Sequence, residues 1–272
     1  MLIYSLLYLS GYTEMSIDQL MSFREFGSHC AGHPERDLDV GIEVTTGPLG
    51  QGIANAAGMA VAEAILNARF GDEIINHYTY ALVGDGCLQE GLGQEVISLA
   101  GHLQLGKLIF LWDDNRMTDD GATHQALTDD VRARFRISGW HVIDCDGNDF
   151  DAVDAALTLA KKDPRPTMIA CTTKIGFGIP RLEDTRAAHG GRVFKADTEA
   201  ARKHLGWPHE PFVIPQELLE AWRTAGRRHE GACAEWNDRV AKLDPAEQAE
   251  FRRILAGELP DGWQDGLLSF KK

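Results

Sequence analysis

The sequence lacks any C-x-x-C pair. Its five cysteines, Cys30, Cys87, Cys145, Cys171 and Cys233, are scattered and odd in number. That argues against a disulfide framework and against a zinc ribbon, and it fits a reducing cytosol. Basic residues are scarce beside acidic ones: 27 Lys plus Arg stand against 41 Asp plus Glu, a formal charge of −14. A field of that sign repels phosphate backbones and speaks against nucleic-acid partners. A bound anion would need local donors or a metal. The apolar opening Met1-Leu2-Ile3-Tyr4-Ser5-Leu6-Leu7-Tyr8-Leu9 is shorter than the ~20 residues a membrane span needs. It also lacks a basic leader and a small-residue cleavage site, so it reads as a buried helix ended by Gly11 and not as a signal peptide. No capping residue precedes it, which leads us to expect a further segment upstream. What is present is ordinary: 272 residues, 44% apolar and 25% charged. That suffices for one large or two small domains with a full core.

Along the chain, Ser16-Ile17-Asp18-Gln19 is a capping-box pattern that predicts a short helix to about Phe26. Residues 27–50, rich in Gly, Pro and Thr, read as loop. A helix heavy in alanine follows from Gln51 to Phe70. Strands and helices then alternate. Strands are predicted at Tyr78–Val83, Lys107–Trp112, His141–Cys145 and Thr167–Thr172. Helices are predicted at Leu88–Leu103, Asp129–Ile137 and Phe150–Lys161. This alternation predicts an α/β fold, a parallel sheet with helices on both faces. Residues 173–195 read as a long loop, and amphipathic helix follows Pro215. The expected organisation is an α/β domain over 1–210, a helical extension over 211–259 and a linker-like tail over 260–272.

Gly84-Asp85-Gly86 directly follows a predicted strand, and the next strand ends in Asp113-Asp114-Asn115. Ligands of parallel sheets gather outside the carboxyl ends of strands. A right-handed crossover puts both ends on the same edge. Asp85 and Asn115 can then aim at one point. With a main-chain carbonyl they form a hard oxygen set suited to Mg²⁺ or Ca²⁺, whose open positions take phosphate oxygens. The plainer alternative is a turn and a loop start. Thr45-Thr46-Gly47-Pro48-Leu49-Gly50-Gln51-Gly52 leads into the alanine-rich helix, and its glycines suit either backbone approach to an anion or ring, or a rigid packed loop. Gly101-x-x-x-x-Gly106-Lys107 is not a P-loop. Leu108 occupies the Ser/Thr position, and the helix precedes the strand. His33 and His189 sit in glycine-containing loops, where an imidazole can bind phosphate or shuttle protons, or simply face solvent. Glu90 and Glu95 lie on the helix after Gly-Asp-Gly and can equally form a solvated face.

Taken together, these stretches resemble the transketolase family. The resemblance is carried by Gly32-His33-Pro34-Glu35, by Gly41 through Asn55, and by Gly84-Asp85-Gly86-Cys87-Leu88-Gln89-Glu90-Gly91 with Asp114-Asn115. Lys174-Ile175-Gly176-Phe177-Gly178, His189-Gly190, Leu205-Gly206-Trp207 and Gly257-Glu258-Leu259-Pro260 add to it. It implies the diphosphate-binding domain of a thiamine-diphosphate-binding fold, with the family's chain extending beyond both ends of this sequence. By that resemblance Asp85 and Asn115 bind Mg²⁺ (or Ca²⁺) by side chain and Met117 by its carbonyl. Gly84, Gly86 and His189 lie along thiamine diphosphate. Gly47 and Leu49 lie by its aminopyrimidine. Glu90, also counted among the cofactor-binding residues, joins Glu95 in a carboxylate network between two active sites. His33 and His189 serve the ketose substrate.

The implied reaction passes a two-carbon ketol unit from a ketose phosphate to an aldose phosphate. The implied partners are sugar phosphates, and either a second copy in a dimer or a chain carrying the pyrimidine-binding and C-terminal domains. The chain alone is expected to be inactive, and a cytoplasmic location is expected. The sequence departs from the family at Asp119 (apolar in the family, near the thiazolium), at Arg186 (histidine), at Gly191-Arg192-Val193 (Ala-Pro-Leu) and at Ala31 (proline). The alternatives are a non-catalytic cofactor-binding module and an inactive fragment acting as an interaction protein.

Overall fold

The computed structural model describes residues 1–271. These form two compact units, Met1–Ala64 with His77–Gly226, and Ile65–Asn76 with the described residues from Arg227 onward. In the first unit, helix α1 (Leu2–Ser10) ends at Gly11, whose left-handed backbone returns its N–H to Leu7 O. Helix α2 (Ile17–Met21) is capped by the Ser16 side chain, which accepts from Gln19 N–H. It stops five residues short of the expected Phe26. The Ser22 hydroxyl bonds back to Gln19 O, and Arg24 adopts a positive φ, which breaks the helical course. The alanine-rich helix α3 (Gln51–Phe70) is as expected.

The sheet comprises β1 (Thr79–Gly84), β2 (Leu108–Asp114), β3 (His141–Asp146) and β4 (Thr167–Thr172), all parallel. Its order is β1-β2-β4-β3, so β4 inserts between its predecessors. Helices α4 (Gly91–His102), α5 (Val131–Ile137) and α6 (Phe150–Ala160) make the crossovers. Helix α4 starts three residues later than expected, because residues 85–90 form the turn that leaves β1. The two-residue side-chain period divides the strands between two cores. Leu108, Phe110, Trp112, Met168 and Ala170 pack with α3, α4 and α5. Ile109, Ile169 and Cys171 pack with Ala156 and Ala160 of α6. Helices on both faces are thus observed, and the carboxyl ends of all four strands share one edge.

Helix α6 is closed by Asp149, whose carboxylate accepts from the Asp151 and Ala152 N–H groups at 2.9 and 3.2 Å. Asp149→Ala is expected to cost about 1 kcal/mol through these two lost caps, read as a fall in melting temperature of about 2–4 °C. An unchanged melt would show the cap to be redundant.

The expected long loop 173–195 contains a short helix, Ala187–Gly190, and a further helix, Lys195–His204, runs on from it. Helices also cover Gln216–Arg227, Glu230–Ala241, Pro245–Leu255 and Trp263–Phe270, the last inside the stretch expected to be a tail. The second unit has its own small core of Ile74, Ile75 and Phe251, against which Phe70 and Trp236 pack. Among the described residues no helix is long and apolar enough to cross a membrane.

Candidate functional site

The site is built on the ends of β1 and β2. Parallel register pairs Val83 with Trp112 and Gly84 with Asp113. Asp85 therefore continues on the face of Val83 and meets Trp112 diagonally. The Trp112 indole N–H donates to Asp85 Oδ1 at 3.1 Å. The second carboxylate oxygen, Oδ2, is buried without a hydrogen-bond partner among the described residues. Burial first, then the nearby Asp114 charge, push the Asp85 carboxyl up to about 6, against the Trp112 indole and the Met117 backbone N–H, which favour its ionised form. Met117 N–H also donates to Asn115 Oδ1 at 2.9 Å. The three residues expected to hold a metal, Asp85, Asn115 and Met117, are thus brought together.

Two residues that sequence reasoning passed over support this centre. Trp112 is one. Arg132 is the other: it donates to Asp114 Oδ2 at 2.7 Å, bonds Asp144, and lies 5.0 Å over the Trp112 ring. An isolated buried Asp114 beside Asp85 would be costly, and the Arg132 guanidinium offsets it. Trp112 was legible through strand register, since a residue paired with Val83 must flank Asp85. Arg132, on α5, carried no comparable signal.

The loop before α3 closes on the same edge. Thr46 N–H bonds Pro34 O, and Arg36 N–H bonds the Thr45 hydroxyl. This seats Gly47 against the His33 ring. A Cβ at Gly47 would stand 2.4 Å from His33 Cδ2, and φ is +134° there, so only glycine fits. Leu49, half exposed, packs over Gly86, where an added Cβ would come within 3.0 Å. Gly50 abuts Glu90. Contacts therefore run from His33 and Gly47 through Leu49 to Gly86 beside Asp85, and on to Glu90. Glu90 and Glu95 are both exposed, Glu90 at the start of α4 and Glu95 one turn on.

His189 enters from elsewhere. It meets Asp119, at the tip of the loop closed by the Met117–Ala122 bridge, with Nδ1 3.7 Å from Asp119 Oδ1. Arg186 donates to the Asp119 carbonyl, and Gly190 leaves no room beside that carboxylate. The two departures Asp119 and Arg186 thus contact each other, and the Asp119 carboxylate is exposed to solvent with the His189 ring beside it. Asn115 and Met117 open onto a cleft of about 1050 Å³ that also reaches Cys145, Thr173 and Lys174.

Comparison with known proteins shows the family to which the chain is similar. The family model described as transketolase, thiamine diphosphate binding domain, matches residues 1–260. A transketolase of Cereibacter sphaeroides is 49% identical over 256 residues, which cover 92% of this chain and 39% of the relative. Transketolase 2 of Vibrio parahaemolyticus is 50% identical over 274 residues, covering 97% and 41%. Among solved structures, the transketolase of Leishmania mexicana superposes with a TM-score of 0.91 at 40% identity, over 97% of this chain and 41% of that one. A Pichia stipitis transketolase in complex with sedoheptulose 7-phosphate does so with a TM-score of 0.90 at 41% identity, over 97% and 40%. The chain spans about two fifths of the length of these relatives.

Proposed function

The chain belongs to the transketolase family, and from that premise we propose that it binds thiamine diphosphate through a divalent cation and serves ketol transfer between sugar phosphates. The observation that carries this reading is the buried Oδ2 of Asp85, which has no hydrogen-bond partner among the described residues, with Asn115 nearby, its Oδ1 accepting from the Met117 N–H that also favours the ionised Asp85 carboxyl. A carboxylate oxygen left unpaired in a dry place is costly unless a cation satisfies it. The donors available are a carboxylate, an amide oxygen and the Met117 carbonyl. All are hard oxygens, and they fit Mg²⁺ or Ca²⁺ rather than a soft metal. Asp85 and Asn115 would hold the metal by side chain and Met117 by its main chain.

Bound there, thiamine diphosphate supplies the nucleophilic carbon that ketol transfer requires. The protein's own residues do the rest. Gly84 and Gly86 allow close backbone approach at the turn. Gly47 and Leu49 offer a flat, partly apolar surface for the aminopyrimidine. His33, wedged against Gly47, and His189, beside Asp119, are placed to hydrogen-bond substrate hydroxyls and to move protons at their ring nitrogens. Glu90 and Glu95, exposed along α4, would link this site to a second one in a dimer or in a complex with the family's pyrimidine-binding and C-terminal domains. The scattered, free cysteines fit a cytoplasmic setting.

Calorimetry of the purified chain with thiamine diphosphate tests the reading. Binding is expected with Mg²⁺ or Ca²⁺ and not in excess chelator, and equal affinity in both would overturn it. For turnover the expectation differs. A polypeptide of these 272 residues alone should show no two-carbon transfer in a coupled assay, and activity should appear when a protein carrying the family's remaining domains is added. Robust transfer by this polypeptide alone would refute the division of labour.

A further inference from the structure

Two of the five cysteines, 26 positions apart in sequence, meet on the sheet. Cys145 on β3 and Cys171 on β4 are direct register partners. They point to the same face, that of α6. The Cys145 thiol donates to Cys171 Sγ at 3.7 Å, and the Cys171 thiol donates on to Ile169 O, also at 3.7 Å. Cys145 is half buried and lines the cleft shared by Asn115 and Met117. Cys171 is 7% exposed. The other three cysteines have no such neighbour: Cys30 faces Met15 Sδ, Cys233 faces Asn237, and Cys87 sits in the turn after β1.

We propose that Cys145 and Cys171 form a redox-sensitive pair that closes to an intrachain disulfide when a hydroperoxide enters the cleft. Register partners on neighbouring strands lie about 4.8 Å apart, within the Cα separation a disulfide accepts. The sulfurs have to approach from 3.7 Å to about 2.05 Å, which side-chain rotation on a common face can provide. Cys145, the accessible thiol, attacks the peroxide. Its sulfur gains oxygen as sulfenic acid, the O–O bond breaks, and with hydrogen peroxide one water leaves. The Cys171 sulfur then displaces hydroxide from that sulfenic acid. The S–S bond forms, and the thiol proton leaves with the hydroxide as a second water. Both sulfurs are oxidised and one peroxide is reduced.

Burial comes first among the influences that keep both thiols protonated, with Cys171 pushed up to about 12. The pair is therefore a slow sensor and not a fast peroxidase. Closure would tie the ends of β3 and β4 one residue before Asp146 and Thr172, at the wall of the cleft.

The test is thiol titration and peptide mapping of the purified chain after hours in hydrogen peroxide at mildly alkaline pH. Titration under denaturing conditions is expected to fall from five thiols to three. Mapping should show a Cys145–Cys171 bridge, which dithiothreitol reverses. In Cys171→Ala, a sulfenic acid at Cys145 should instead be trapped by dimedone. Five surviving thiols, irreversible sulfinic acid at Cys145 with Cys171 still free, or a bridge that involves Cys233 would each overturn the proposal. The mapping uses the unaltered chain, so it does not depend on how well the variant folds.

Discussion

In excess chelator, the stabilities of the parent chain and of Asp85→Asn are expected to diverge by roughly 3 kcal/mol between about pH 4 and pH 7. The cause is the buried carboxyl of Asp85, whose folded-state value is raised to about 6, above the ~3.9 of an unfolded chain. Between those two values the folded chain holds the proton that the unfolded chain has released. Stability contributed by the neutral carboxyl is fully present below about pH 4 and is lost as pH rises through about 6. The amide introduced by Asp85→Asn has no proton to lose, so the variant lacks this decline while still offering an oxygen to the Trp112 indole. Adding Mg²⁺ should restore the parent at neutral pH, because the cation satisfies Oδ2, and should leave the variant unmoved. Asp85→Asn should also lose metal-dependent affinity for thiamine diphosphate by more than about 100-fold, since even outer partners of metal ligands cost 10–100-fold. Parallel pH–stability curves for the two chains would sink the assignment of Asp85 as the strained acid of the centre.

What was legible beforehand follows from how local each signal is. The α/β class rests on apolar periodicity and on turn residues, both visible within a dozen positions, and the four strands appear within a residue or two of expectation. Asp85 and Asn115 could be paired because a right-handed crossover is nearly obligatory, so two consecutive strand ends must share an edge. The order of the sheet was not legible. Nothing local says that β4 slips between β2 and β3, and that insertion is what sets Cys171 beside Cys145. The helix Lys195–His204 escaped notice because its sequence is mostly polar and shows little apolar stripe. Its start is fixed by a local cap, Asp197 accepting from Phe194 N–H, and by a contact from farther along the chain, the Arg181 guanidinium clasping Asp197 at 2.6 and 2.7 Å. The contact between Asp119 and Arg186 was hidden for the same reason, since 67 positions separate them.

Trp112 should prove as consequential as the metal ligands, and two substitutions separate its roles. It is 4% exposed within the main core, it donates to Asp85, and it lies under the Arg132 guanidinium. Trp112→Ala removes all three contributions and leaves a cavity, and large-to-small changes of this kind cost about 3–5 kcal/mol. Urea unfolding at pH 7 reads that loss. Trp112→Phe keeps most of the ring volume and a π face for Arg132 but removes the indole N–H. The Asp85 carboxylate is then left with only the Met117 backbone N–H to favour ionisation. Leaving a buried acceptor without its donor costs about 1–3 kcal/mol. Because the lost bond favoured the charged form, Asp85 should titrate higher still. A divalent cation must displace that proton, so the pH midpoint of Mg²⁺-dependent thiamine diphosphate binding should move upward by about one unit, the equivalent of about 1.4 kcal/mol. A Trp112→Phe chain that is destabilised but keeps the parent's binding midpoint would show that the indole serves packing alone.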